Sequence, residues 1–320
     1  MSLPVDPARL WRIIHTVPRD RRLPYTKSPI QGEAMTDFSS KWLVETDWLA
    51  ERLGAPGLVV VDAGLTMPAD ARAANEVYNE AHIPGALYFD IEALSDTNSP
   101  YPHMLPSPEK FASRMRKAGI GDGMKVVVYD SKGLFSAPRA WWMFRVMGHE
   151  DVVVLNGGLK KWLAEGRPVE AGAPTPRSER HFTARKNSEL VREIDDMIHI
   201  VEGGRTQIAD ARSKPRFEGA EVELRPVARL GHMPGARNVP YGSLIAPDGT
   251  LKPAAELRAA FEAAGIHPEK PVITTCGSGV TACILALALA VTGNEHAAVY
   301  DGSWAEWSEV PKAPVTTGPA

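Results

Sequence analysis

Two cysteines carry the nucleophilic potential of this chain, Cys276 and Cys283. Cys276 opens the run Cys276-Gly277-Ser278-Gly279-Val280-Thr281, which separates a β-branched stretch ending at Thr275 from the wholly apolar stretch Ala282–Val291. Such a run predicts a strand-to-helix turn. Glycines at alternate positions let the backbone curl without a Cβ penalty, curled N–H groups can converge on one anion, and the helix N-terminus adds positive potential. All three favour thiolate, the nucleophilic form of cysteine. The competing reading is a buried cysteine that ends a strand. Cys283, inside the apolar stretch, reads as core.

A nucleophile needs a rigid platform. Val59–Val61, Val126–Tyr129, Val152–Leu155 and Pro271–Thr275 are short runs without polar alternation, the pattern of strands buried on both faces. Residues Pro108–Ala118 read as a helix with Ser107 as N-cap, Glu256–Ala264 reads likewise, and Ala282–Val291 reads as a buried helix. Strands separated by helices predict an α/β fold with parallel sheets flanked by helices, whose sites form beyond the carboxyl ends of strands. Beyond Thr275 stands Cys276; beyond Tyr129 stands Asp130, which cannot act as a thiol nucleophile.

That correspondence is part of a duplication. Asp62-Ala63, closing the run Leu58–Val61, returns as Asp210-Ala211 at an offset of 148; His82-Ile83-Pro84-Gly85-Ala86 returns as His232-Met233-Pro234-Gly235-Ala236 at 150; Val126–Asp130 returns as Val272–Cys276 at 146; Asn156-Gly157-Gly158 ahead of Trp162 returns as Asp301-Gly302-Ser303 ahead of Trp307 at 145. Ordered landmarks at nearly one offset predict two copies of one domain, 39–166 without a catalytic cysteine and 189–312 with one. A linker is expected over 167–188, a poorly ordered N-terminal extension over 1–38 with a transit peptide as the alternative, and a tail over 313–320, with Pro311–Ala320 read as frayed.

Composition narrows the function. The 320 residues suffice for about two domains. With 36 basic and 39 acidic residues the net charge is −3, so no basic excess exists to replace phosphate counterions, and nucleic acid is not the expected partner. The apolar stretch Ala282–Val291 is too short to span a bilayer, so no membrane is expected. Two cysteines make no disulfide framework and fit a reducing cytoplasm.

At this point the chain resembles the tandem rhodanese sulfurtransferases over nearly all of Lys41–Val310. The resemblance rests on the Cys276–Thr281 loop, Gly85–Asp90, Ser99–Pro106, Phe135-Ser136-Ala137-Pro138-Arg139 with Trp141-Trp142, and Gly231-His232-Met233-Pro234-Gly235; the loop is similar to that of the 3-mercaptopyruvate sulfurtransferases. It implies two rhodanese-like domains and a Cys276 persulfide that takes the sulfur of 3-mercaptopyruvate, releases pyruvate, and passes the sulfur to a thiol such as reduced thioredoxin or to cyanide, with no cofactor and no metal. It further implies that Arg216 and Arg225 bind the donor, along a loop formed by Gly277, Gly279, Val280 and Thr281. Ser278 is implied to act with His103 and an acid from the first domain. In animal members that acid is aspartate; here the matching residue is the longer Glu92. By residue type alone, each arginine reads as a surface charge and His103 as a loop histidine. Three rivals remain. A thiosulfate sulfurtransferase would carry basic residues in the loop, where Gly277 and Ser278 are neutral; a cysteine phosphatase needs an arginine where Ala282 stands; a non-catalytic rhodanese-like binding module fits the first half alone.

Overall fold

The computed structural model describes residues 40–320, so the expected N-terminal extension lies outside the described residues. Strands β1 (Leu43–Val44), β2 (Leu58–Asp62), β3 (Leu87–Tyr88), β4 (Lys125–Tyr129) and β5 (Val152–Leu155) form a parallel sheet in the order β1-β5-β4-β2-β3. Strands β6 (Val191–Arg192), β7 (Gln207–Asp210), β8 (Ala236–Asn238), β9 (Val272–Thr275) and β10 (Ala298–Tyr300) form a second in the order β6-β10-β9-β7-β8. The second order is the first with every strand advanced by five, so the duplication read from the landmarks is a duplication of topology. Register is duplicated as well: Asp62 pairs with Tyr129 and Asp210 with Thr275, which places Asp130 and Cys276 at the same point beyond their sheets.

The two halves share one core. Helix α5 (Ala137–Val146) buries every residue except Arg145, and helix α10 (Ala282–Val291) buries all from Ala282 to Ala290. Trp141, Trp142 and Phe144 of the first join Leu285, Leu287 and Leu289 of the second in a continuous apolar cluster. A helix apolar on every side must be covered on every side; α10 has its own sheet on one side and the first half on the other. The opposite faces carry separate cores, around Tyr129, Leu159 and Trp162 in the first half and around Phe217, Trp304 and Trp307 in the second.

The connecting and terminal segments differ from a free tether and a frayed end. Residues 167–188 run along the first half: Glu170 and His82 exchange backbone hydrogen bonds of 2.9 Å, and Phe182 is buried. In the second half Thr316 and His232 exchange them at 2.8 and 3.0 Å, and Gly318 N–H donates to the Glu218 carbonyl at 2.9 Å, so the tail is fastened. Both histidines of the repeated His-x-Pro-Gly element stack on an aromatic ring, His82 on Tyr78 and His232 on Phe217. Each also places Nδ1 2.9 Å from that residue's carbonyl oxygen. Their work is to pin the chain that leaves each domain.

One repeated position is electrostatically unequal. Asp210 is buried against the Arg212 guanidinium, at 2.7 Å, whereas Asp62 is buried with Gly64 where the second half has arginine. Burial pushes the Asp62 carboxyl up to about 7 from 3.8. A raised acid stabilises the fold fully below its unfolded value and loses that contribution as pH rises towards its folded value, here between about 4 and 7. Asp62→Asn is therefore expected to melt at a higher temperature than the parent at pH 8 and at nearly the same temperature near pH 4. An equal shift at both pH values would contradict this account.

Candidate active site

Cys276 follows β9 and is 2% exposed. Its backbone is held on both sides: the N–H donates to Ser303 Oγ at 3.2 Å, and the carbonyl accepts from Trp304 N–H at 2.9 Å. The two glycines of the loop do different things. A Cβ on Gly277 would lie 2.9 Å from Arg216 Nη2, so this glycine makes room for the guanidinium. Gly279 has φ +75° and a Cβ there would lie 2.6 Å from the Asp301 carbonyl, so only glycine fits. Cys283 is fully buried with Sγ 3.2 Å from the Gly279 carbonyl, and burial pushes its thiol far up, as expected of a core residue.

Between Cys276 and that glycine stands Ser278, which meets residues of the first half. Ser278 Oγ lies 3.0 Å from His103 Nδ1, and His103 Nε2 lies 3.0 Å from Glu92 Oε1. Glu92 sits in the first turn of α3 (Ile91–Leu94), whose N-cap is Asp90; Asp90 accepts from Ala93 N–H and so has a structural task. The longer glutamate therefore spans the distance to the histidine. The hydrogen bond with His103, with a smaller contribution from Arg225, holds the Glu92 carboxyl below its ordinary value. Ser278, His103 and Glu92 thus form one hydrogen-bonded series across the two halves, with the Glu92 carboxylate accepting from His103 Nε2.

His103 has φ +63°, a left-handed conformation that a non-glycine residue holds only when its surroundings impose it. The imposing group is a buried ion pair between the halves. Arg139 Nη1 donates to Asp301 Oδ1 at 2.7 Å and to the Gly279 carbonyl at 3.2 Å, while Nη2 donates to the His103 carbonyl. The other Asp301 oxygen accepts from Leu105 N–H at 2.7 Å. One pair thus fixes the loop that follows Cys276 and the loop that carries His103.

Arg216, on α8 (Lys214–Glu218), and Arg225 face a cleft of about 100 Å³ that also reaches Cys276, Gly277, Ser278, Val280 and Thr281. The residues read from the sequence lie close together, but three of them do not line the cleft: His103 and Glu92 stand behind Ser278, and Gly279, expected to bind the donor, packs against Asp301 and Arg139 instead. Several lining groups were not singled out by residue type: Glu223, Met67, Phe135 and Tyr241. Glu223 stands two residues before Arg225, and Phe135 opens the segment that ends in Arg139. Met67 and Tyr241 carry no signal in the sequence.

The rhodanese-like domain family matches residues 45–165 and 193–310. The chain belongs to the rhodanese family. It is 45% identical over 283 residues to the 3-mercaptopyruvate sulfurtransferase of Escherichia coli K12, covering 87% of this chain and 100% of that one. It is 44% identical to the thiosulfate sulfurtransferase of Bos taurus, covering 83% and 91%. The crystal structure of SseA from Escherichia coli, described for the rhodanese fold and catalytic mechanism of 3-mercaptopyruvate sulfotransferases, superposes with a TM-score of 0.76 at 44% identity, covering 82% of this chain and 98% of that one.

Of the two rhodanese domains, the first has filled its own anion nest. The Asp130 carboxylate accepts from the N–H groups of Lys132, Phe135, Ser136 and Ala137 at 2.8–3.0 Å, ahead of α5. A resident carboxylate stands where the second domain has a cysteine, and it caps a helix that has no other side-chain cap. The asymmetry extends to the facing loops. Gly133 approaches Gly249 of the other half closely enough that a Cβ would lie 3.0 Å from its carbonyl oxygen, and no histidine is present there.

The two glycines of the loop after β9 should respond differently to a methyl group. Gly279→Ala is expected to lower the melting temperature and abolish activity, through positive φ and the clash with Asp301. Gly277→Ala is expected to keep the melting temperature within about 0.5 kcal/mol of the parent in stability terms and to raise the donor KM by displacing Arg216. Equal destabilisation by both would contradict the separate roles.

Proposed function

We propose that this rhodanese is a 3-mercaptopyruvate sulfurtransferase that works through a Cys276 persulfide. The observation that carries the reading is the hydrogen-bonded series Ser278–His103–Glu92 beside Cys276, within a cleft that presents two arginines to a small anion. Guanidinium groups match a carboxylate and stay charged, and an α-keto acid offers that carboxylate. The Cys276 thiolate attacks the donor sulfur; the S–S bond forms, the C–S bond breaks, and its electron pair passes to the methylene carbon as the pyruvate enolate. Ser278 protonates that carbon to give pyruvate and recovers a proton from protonated His103, whose other nitrogen is held by Glu92. The persulfide keeps the donor's proton, so atoms and charge balance.

In the second half-reaction an acceptor thiolate attacks the outer sulfur and restores the Cys276 thiolate. A small thiol or the dithiol of reduced thioredoxin fits that role, as does cyanide, which leaves as thiocyanate. Neither step calls for a metal or cofactor. We place the reaction in the cytoplasm, in keeping with two unpaired, buried cysteines; among the described residues no helix is long and apolar enough to cross a membrane.

The similarity to the Bos taurus relative favours thiosulfate as the second reading. Thiosulfate is a dianion whose sulfite leaves without protonation, so it has no use for a serine relay and gains from positive charge that Gly277 and Ser278 do not supply.

The test is kcat/KM for both donors, with pyruvate measured directly and the protein weighed after donor treatment. Expected are a preference for 3-mercaptopyruvate and one added sulfur on Cys276; Cys276→Ser stays folded and takes up none. Sulfur on Cys283, or a preference for thiosulfate, would overturn the reading. Arg216→Leu and Arg225→Leu should each raise KM about ten- to a hundredfold, the loss of one charge-assisted hydrogen bond.

A further inference from the structure

Arg216 does not offer its whole fork to the cleft. Its Nε lies 3.0 Å from Glu223 Oε2, and Nη2 donates to the same oxygen. Glu223 Oε1 accepts from Arg212 Nη1 at 2.7 Å, and Arg212 is itself bound to Asp210 and sits over the Trp304 ring. The Glu223 side chain is 4% exposed, so its charge is buried with its partners. Among the described residues Arg216 makes no hydrogen bond through Nη1, the one edge left for a donor. Around the cleft the guanidinium groups of Arg212, Arg216 and Arg225 are matched by the carboxylates of Asp210, Glu223 and Glu92. Two of the three guanidinium groups, Arg212 and Arg216, share the one Glu223 carboxylate.

We infer that Glu223 is a positioning residue that sets the donor's charge: it turns the free edge of Arg216 into the cleft and cancels one positive charge, so that the site takes a donor with a single negative charge and disfavours a dianion. This rests on the reading that the donor's carboxylate docks at Arg216 and Arg225. A structural buttress would affect all anions alike, whereas a charge-setting group separates them by charge.

The experiment uses two variants of the full chain and two probes of one shape, methanesulfonate with one charge and sulfate with two. Glu223→Gln keeps the size and removes the charge; Glu223→Asp keeps the charge and shortens the arm. Calorimetric binding to the parent should favour methanesulfonate. In Glu223→Gln the ratio of sulfate to methanesulfonate affinity, and the ratio of kcat/KM for thiosulfate to that for 3-mercaptopyruvate, should both rise about tenfold, the order of one unit-charge interaction at cleft distances; the kinetic change should lie in KM. In Glu223→Asp both donors should weaken with the ratio held within about twofold, since the same charge is present. An unchanged ratio in Glu223→Gln overturns the proposal. Should that variant not fold, the parent alone decides: sulfate binding as well as methanesulfonate overturns it. Binding is read without turnover, so a parent that releases no pyruvate refutes the proposed reaction while the anion ratios still judge Glu223.

Discussion

A single buried ion pair, Arg139 with Asp301, holds the two halves of this protein in a working relation. Both side chains are almost wholly buried, and such a pair adds little net stability over an apolar substitute, while removing one partner costs about 3–5 kcal/mol. Its value is therefore geometric. The guanidinium also lies over the Trp142 ring, 4.5 Å from its centroid, and its hydrogen bonds reach backbone carbonyls on both sides of the domain boundary. The apolar contact of α5 with α10 supplies adhesion but tolerates sliding, because dispersion and burial have no direction. The ion pair supplies the direction, and it does so within a few ångströms of the relay.

The halves grip each other reciprocally, and the two grips differ. Asp301 accepts from Leu105 N–H, and its counterpart Asn156 accepts from Leu251 N–H at 2.9 Å. Asn156 also binds Glu45 of its own half, where Asp301 binds Arg139 of the other, so both grips reach across through a leucine N–H and the second adds a buried ion pair across the boundary. Cysteine against aspartate and histidine against glycine complete the contrast. The first domain thus places a histidine and a carboxylate beside Ser278 of its neighbour.

Much of this was legible in the sequence. The β-branched runs fell on strands because parallel strands are apolar on both faces, and the landmark offsets foretold the repeated topology. The loop after β9 was legible in part: Gly279 is there for its positive φ, whereas Gly277 is there for room beside Arg216, and spacing alone does not tell the two apart. The arginines and His103 took meaning only through family resemblance, since a guanidinium or an imidazole looks the same on a surface as in a cleft. Arg139 and Asp301 are separated by 162 residues, and no period or spacing relates such partners. The tail misled for a similar reason: Thr316 is fastened by backbone pairing with His232, which leaves no trace in side-chain type.

The central claim is that Glu92 of one domain and Ser278 of the other act as parts of one relay through His103. A double-mutant cycle on kcat with 3-mercaptopyruvate tests it most directly, using Glu92→Gln, Ser278→Ala and the double variant. Residues that act as a unit are strongly non-additive, so the double variant should lose about as much as the more damaged single variant. Losses that multiply, as for independent residues, would contradict the account.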